Sequence, residues 1–301
     1  MPNPLVPSLN DQSYVMSALL ANPQRLNRVI ARLAADQLIT DAFFRPAASA
    51  VSGGGMLFDV LLKGGNFAAR DVEERSPGAE YMISVTDLVS DLATPKDFGA
   101  KLEFYDEHLD RQDPTVSASK IAQLANTLAR KIDRVAIAAI DAAHAKHGIE
   151  PVEGHNWDTL VTVGPLDSIT PNSERPLADI ATAALRVRED DLGIPAPDTI
   201  VLHPAQLTAM RIGYGAETTD VLASVGISSV RTSMQIPAGV AYVVSSGQAG
   251  VLGFERGLTT EVIPERTRRS TWVQVYAVPV MAVPTPGAVR KITGLAGTPG
   301  S

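Results

Sequence analysis

The sequence predicts an α+β fold, and three observations carry that reading. A run from Asp113 reaches Gly148 with no Gly and with no Pro after Pro114, which is helical vocabulary of unusual length. Residues 53–92 read as one long hairpin with glycines at its base and charge at its tip. From residue 228 onward, short apolar runs alternate with turn signals, the pattern of strands.

Each element follows in chain order. Pro2, Pro4 and Pro7 exclude a helix at the start and predict an extended arm. Val15, Leu19, Leu26, Val29, Ile30 and Leu33 then recur at helical spacing, with Pro23 splitting or kinking the run. "GGG" at 53–55 ends regular structure, and "MLFDVLL" (56–62) reads as a strand. The stretch 63–80 is polar and mixed in charge, and "YMISVTDLVSDL" (81–92) brings the chain back as a second strand. The arms are apolar at alternate positions. A lone hairpin cannot bury such faces in water, so it needs a surface, either its own domain's or a neighbour's.

"KLEFYDEHL" (101–109) predicts another strand. The long helix follows over 114–147, with Asp113 as N-cap, Pro114 at the first helical position and Gly148 just past the end. Ile121, Leu124, Leu128, Ile132, Val135 and Ala139 form its apolar stripe. At 1.5 Å per residue it would span about 50 Å. A compact 100-residue body has a radius of gyration of only about 13 Å, so the helix is expected to act as a beam. Residues 149–175 look loop-like, with a short strand at "TLVTV" (159–163). Residues 176–193 predict a helix, and 198–212 a buried strand followed by a helix after Pro204. The strands expected beyond 228 are "SVRTSM", "VAYVVS", "GVLGFE", "LTTEVIPE", "STWVQVYAVPVMAV" and "AVRKITG", with "ERG" a turn between the third and fourth.

The totals narrow the function. A chain of 301 residues with 45% hydrophobic content can build a real core in one large or two medium domains. A net charge of −7 argues against a protein that coats nucleic acid. The absence of cysteine excludes disulfides, thiolate nucleophiles, zinc–thiolate sites and iron–sulfur clusters. The first residues lack the basic and apolar regions of a signal peptide, and no stretch approaches the ~20 apolar residues of a membrane span. The expectation is a soluble chain made in the cytoplasm.

Catalytic vocabulary is sparse. No phosphate-binding loop and no nucleophile elbow occurs, and "GQAGVLG" (247–253) reads as turn chemistry. Asp141, His144 and His147 share the end of the long helix, where two imidazoles can hold a metal, yet no further ligand is nominated. Imidazoles there are also favoured by the helix dipole and then simply face water. His203, after "TIVL", has neither an orienting partner nor a nucleophile in view. Arg266, Arg268 and Arg269 suit phosphate, an acidic patch on another subunit, or solvent, with Glu261 and Glu265 beside them. No catalytic residue, metal site or cofactor is assigned.

The order of parts is similar to that of the major capsid proteins of tailed bacteriophages, the Hong Kong 97-type fold family. The resemblance rests on the arm, the charged-tipped hairpin and the single capped helix. It continues through "LADIATAALRVREDDLGIPAPDTIVLHP" and the strand-rich end closing on "VYAVPVMAVPTPGAVRKITG". It implies an N-terminal arm over 1–50 and an extended loop over 51–100. A peripheral domain would cover 101–175 with its spine helix at 114–147. An axial domain would cover 176–275, and 276–301 would return to the peripheral domain.

The resemblance also implies no enzyme, but a shell subunit that assembles with copies of itself as pentamers and hexamers around a packaged double-stranded DNA genome. The DNA is enclosed without sequence-specific binding, and no membrane is involved. A portal, a separate scaffolding protein and a decoration protein are the implied partners, the virion the implied location, and the host bacterial cytoplasm the place of assembly. Lys63, Arg70, Asp71, Glu73, Glu74 and Arg75 on the extended loop are the expected inter-subunit contacts. Lys63 also lies where some members carry a cross-linking lysine, although no partner for it is identified. Two other readings stand beside this one: an encapsulin-like bacterial nanocompartment shell, and a cytoplasmic α/β enzyme using Asp141, His144, His147 or His203.

Overall fold

The computed structural model describes residues 23–35, 38–67, 74, 76–78, 80, 89–107 and 114–297. The proline-rich arm, Val15, Leu19, Asp113 and the strand expected at 81–88 lie outside the described residues.

The long helix is present as α3 (Pro114–His147, 34 residues), following α1 (Pro23–Ala35) and α2 (Thr40–Phe43). Its end is closed as its sequence requires. Gly148 adopts φ +67, and the Ile149 N–H reaches back to the His144 carbonyl at 2.9 Å, which satisfies an otherwise orphaned carbonyl. Pro23 is the first residue of α1, a position where a missing N–H costs no hydrogen bond.

Two sheets share the beam. The first has the order β1–β9–β10–β4, from β1 (Phe44–Pro46), β9 (Gly250–Glu265), β10 (Ser270–Ala282) and β4 (Phe98–Tyr105). β10 runs antiparallel to both β9 and β4, and β1 is parallel to β9. Val273 and Val275 point from β10 into a core with Phe104 of β4, Leu26 and Ile30 of α1, and Ile121, Leu124, Leu128 and Ile132 of α3. α1 and α3 therefore lie in one layer on one face of this sheet. The other face keeps Trp272, Gln274 and Tyr276 only partly covered, as an antiparallel sheet permits.

The second sheet has the order β5–β11–β8–β6–β7, from β5 (Val152–Glu153), β11 (Val289–Thr293), β8 (Ala241–Val244), β6 (Thr199–Leu202) and β7 (Ser229–Thr232). β6 and β8 are buried along their whole length. α4 (Pro176–Glu189), α5 (Pro204–Tyr214) and α6 (Thr218–Ser224) accompany this sheet, with Ile180, Ala184, Met210 and Leu222 in a core with Ile200, Leu202 and Val243. α5 and α6 form the crossover that makes β6 and β7 parallel.

The C-terminal half of α3 joins the two sheets. Its stripe turns there: Val135 and Ala139 are only half-buried, while Ala136, Ile137 and Ile140 enter a core with Phe43, Phe44, Tyr242 and Val289. The helix changes partners along its length, so one repeating face cannot serve both.

Two local expectations are corrected. "TLVTV" is no strand: Trp157–Thr159 is a short 3-10 turn, and Val161 exchanges backbone and side-chain hydrogen bonds with Thr170 in place of a sheet edge. "ERG" is no turn: β9 runs straight through it, and Gly257 falls where the register against β10 slips, a bulge. α6 lies in the stretch between 212 and 228, to which the sequence reading assigns no element. The division expected at 275 falls inside β10.

Asp133 is an acid on the inner face of α3, 3% exposed, accepting the Ile39 N–H at 3.1 Å. Burial pushes its carboxyl up to about 6, against the pull of that hydrogen bond and with help from Asp41. A folded-state pKa above the unfolded value means stability that is complete below pH ~4 and is lost as pH rises through about 6. Asp133→Asn keeps the acceptor and removes the titration. It is expected to be more stable than the parent by roughly 2–3 kcal/mol at pH 7.5, with the gap closing at pH 4, in denaturant titrations at both pH values. A pH-independent difference would contradict this account.

Candidate assembly surface

The hairpin consists of β2 (Met56–Val60) and β3 (Val89–Ala93), paired so that Leu57 faces Leu92, Asp59 faces Ser90 and Met56 faces Ala93. Side chains alternate across a strand, so the hairpin has two faces. On the inner one, Met56, Phe58 and Ala93 pack with Val280 and Ala282 of β10. On the outer one, Leu57 is 73% and Leu92 57% exposed, beside an Asp59–Ser90 hydrogen bond of 2.7 Å.

The inner face is fastened by more than apolar contact. Lys146 of α3 pairs with Asp91 at 2.7 Å, which holds the Asp91 carboxyl below its ordinary range. The Leu61 N–H donates to the Pro284 carbonyl at 2.7 Å and the Gly64 N–H to that of Asp190 at 3.2 Å. Asn66 lies so close to Gly193 that a Cβ there would meet its amide nitrogen at 2.2 Å. Gly193, at φ +66, is thus required twice, for its backbone and for the passage of the loop. Of the two surfaces the sequence left open, the chain's own body is the one that covers this face. The outer face has no such cover among the described residues.

Lys63 and Glu74 are exposed. Lys63 borders a cavity of about 370 Å³ where the loop leaves the body, lined also by His147, Arg186, Glu189 and Arg290. Arg70, Asp71, Glu73 and Arg75 lie outside the described residues.

The other candidates separate. Asp141 accepts from the Tyr242 hydroxyl at 3.0 Å and from Lys291 Nζ at 2.9 Å, joining α3 to the second sheet. His144 is not at the water's edge: it is 5% exposed and directs Nε2 to the Pro286 carbonyl at 3.1 Å, and burial lowers its basicity. The dipole argument fails for it because the next layer covers its side of the helix. His203 caps α5, its Nδ1 accepting from the Ala205 N–H at 3.1 Å. Arg266 approaches Asp106 at 3.9 Å, an exposed pair of little energetic weight.

Two buried groups escaped the sequence reading. Asp179 of α4 accepts from the His155 N–H, His155 Nδ1 and Trp157 Nε1 at 2.9, 2.8 and 2.8 Å. Asp190 pairs with Arg290 across 100 residues of chain, with both side chains buried. No short motif marks either, because each partner is chosen by the tertiary fold.

A beam helix laid across two sheets, with a hairpin seated by its inner face on the first of them, is the layout of the Hong Kong 97-type capsid fold. The phage capsid protein family model matches residues 89–292, more than half of the chain, and the chain belongs to that family. Solved structures agree on the fold. A structure from Mycobacterium phage Adephagia superposes with a TM-score of 0.60 at 12% identity, covering 87% of this chain and 92% of the other. The capsid of Myoviridae phage XM1 gives 0.57 at 12%, covering 85% and 91%. A virus-like particle from Pyrococcus furiosus gives 0.57 at 11%, covering 89% and 98%. No curated protein matches the sequence. The chain is a structural component of a phage capsid.

Proposed function

We propose that this chain is the shell subunit of an icosahedral phage head, closing as pentamers and hexamers around packaged double-stranded DNA. The outer hairpin face carries the proposal. Two leucines open to solvent on an ordered strand pair are an unfinished interface, and a second copy of the chain completes it. The loop residues Lys63, Arg70, Asp71, Glu73, Glu74 and Arg75 would border that contact. Exposed charge pairs contribute only ~0–1 kcal/mol each, which keeps wrong contacts reversible during assembly. A separate scaffolding protein, a portal and a decoration protein are the partners this role requires or admits, and the host cytoplasm is the proposed place of assembly.

The virus-like particle from Pyrococcus furiosus supplies the second reading, a nanocompartment shell. Mass spectrometry of purified particles separates the two. Portal subunits and DNA support the phage head, and a co-purifying cargo enzyme without DNA supports the compartment. A chain that remains monomeric at high concentration with its scaffold supplied overturns both.

A further inference from the structure

The chain carries a net charge of −7, yet one of its surfaces bears the opposite sign. α1 exposes Arg25, Arg28 and Arg32, spaced by three and four residues and so on one helical face, and α1 has no acidic residue. α3 exposes Arg130, Lys131 and Arg134. Its two acids do not answer them: Asp133 is buried, and Asp141 is held by Tyr242 and Lys291. Asp41, near enough for its charge to act on Asp133, is paired with Arg231 at 3.2 Å. Among the described residues, the basic side chains of this face make no ion pair. Arg130 and Arg134 share only the neutral Gln235 carbonyl, at 3.4 and 3.2 Å, and Lys131 lies over the Phe98 ring.

The two groups of cations face the same way. Both helices bury their opposite sides against the four-stranded sheet and each other, so the exposed arginines of both point away from it. The neighbours on the α3 face are Ser119, Gln123, Asn126 and Thr127, polar and small. No large apolar side chain is exposed on either helix among the described residues. A folded protein partner needs such an anchor. A phosphate backbone does not: it needs cations, preferably arginine, whose planar fork matches phosphate oxygens.

We infer that the basic face of α1 and α3 is the surface that contacts the packaged DNA, through its phosphates and without regard to sequence. The inference rests on the capsid reading and adds which side of the subunit is the inner wall. Over the rest of the chain acidic side chains outnumber basic ones, which disfavours the duplex elsewhere. Contact through about five arginines is weak at cellular salt, so the DNA remains free to move as the head fills.

The test uses the full-length chain below its assembly concentration and a fluorescent 30-base-pair duplex of arbitrary sequence. Binding is expected to weaken with salt with a log–log slope of about −4 to −5, roughly 0.9 for each phosphate contact. Replacing Arg25, Arg28, Arg32, Arg130 and Arg134 together by Gln is expected to lower affinity at least about a hundredfold at 50 mM salt and to flatten the slope towards zero. The same five positions changed to Lys keep their charge and are expected to keep the slope. Replacing Arg266 and Arg268 by Gln, at the far end of the β9–β10 hairpin, is expected to leave binding unchanged. Unchanged binding by the five-Gln protein, or tighter binding of an acidic polypeptide than of the duplex, overturns the inference. Particle formation by each variant is scored by electron microscopy. Loss of DNA contact with shells intact supports this surface, whereas failure of the parent chain to form shells overturns the capsid role and leaves the binding comparison readable.

Discussion

Replacing Asp179 by alanine is expected to destabilise the fold by roughly 3–5 kcal/mol, the cost of removing one side of a buried, charge-assisted network. The carboxylate is 3% exposed and holds three donors. Without it, Trp157 Nε1 and the His155 amide lose their acceptor, and an unsatisfied buried donor costs about 1–3 kcal/mol. Trp157, 1% exposed, also anchors the loop to the end of β11 through its N–H and the Leu295 carbonyl at 3.0 Å. The connection after α3 would therefore loosen from the second sheet as a unit. Denaturant titration reads the loss, with the exposed Asp158→Ala as the control expected to remain within ~0.5 kcal/mol of the parent. A loss below ~1 kcal/mol for Asp179→Ala would mean that the network is not what seats Trp157.

The second large effect separates folding from assembly. Leu57→Ser with Leu92→Ser is expected to leave thermal stability nearly unchanged, since both side chains already face water. Assembly should suffer. Covering the exposed part of each leucine is worth about 1–2 kcal/mol, so each subunit contact loses roughly 2–4 kcal/mol, a 30- to 1,000-fold weakening. Met56→Ser with Phe58→Ser, on the inner face of the same hairpin, is expected to do the reverse and lower thermal stability, because those side chains pack on β10. Sedimentation velocity and thermal melts on both double variants decide it. Equal effects of the two pairs on assembly, or a large stability loss for the leucine pair, would contradict the assignment of faces.

These two cases show what was legible in the sequence. Periodicity exposed the beam, since a 34-residue helix announces itself by its stripe and by Gly148. Alternation and turn residues exposed the hairpin and most C-terminal strands. Alternation cannot say which face of a hairpin meets its own body, because both faces of β2 are apolar, Met56 and Phe58 on one and Leu57 on the other. In "ERG" a glycine after two charges suits a turn and a bulge equally, and only the partner strand distinguishes them. The stripe of α3 was right while the helix kept one partner and drifted where the second sheet took over. Asp133, Asp179 and the Asp190–Arg290 pair were invisible for a related reason. An acid reads as a surface residue until the fold supplies its donors, and those come from 22 to 100 residues away. The basic face was hidden by the total charge, which averages over surfaces that the fold separates.

The central claim is that this chain is completed by copies of itself through the outer face of β2 and β3. Electron cryomicroscopy of particles formed by the full-length chain tests it most directly. The account predicts closed shells in which Leu57 and Leu92 are covered by a neighbouring subunit while Met56 and Phe58 stay on their own β10. Particles in which both leucines remain open to solvent, or a chain that forms no particles with its scaffold present, would contradict it.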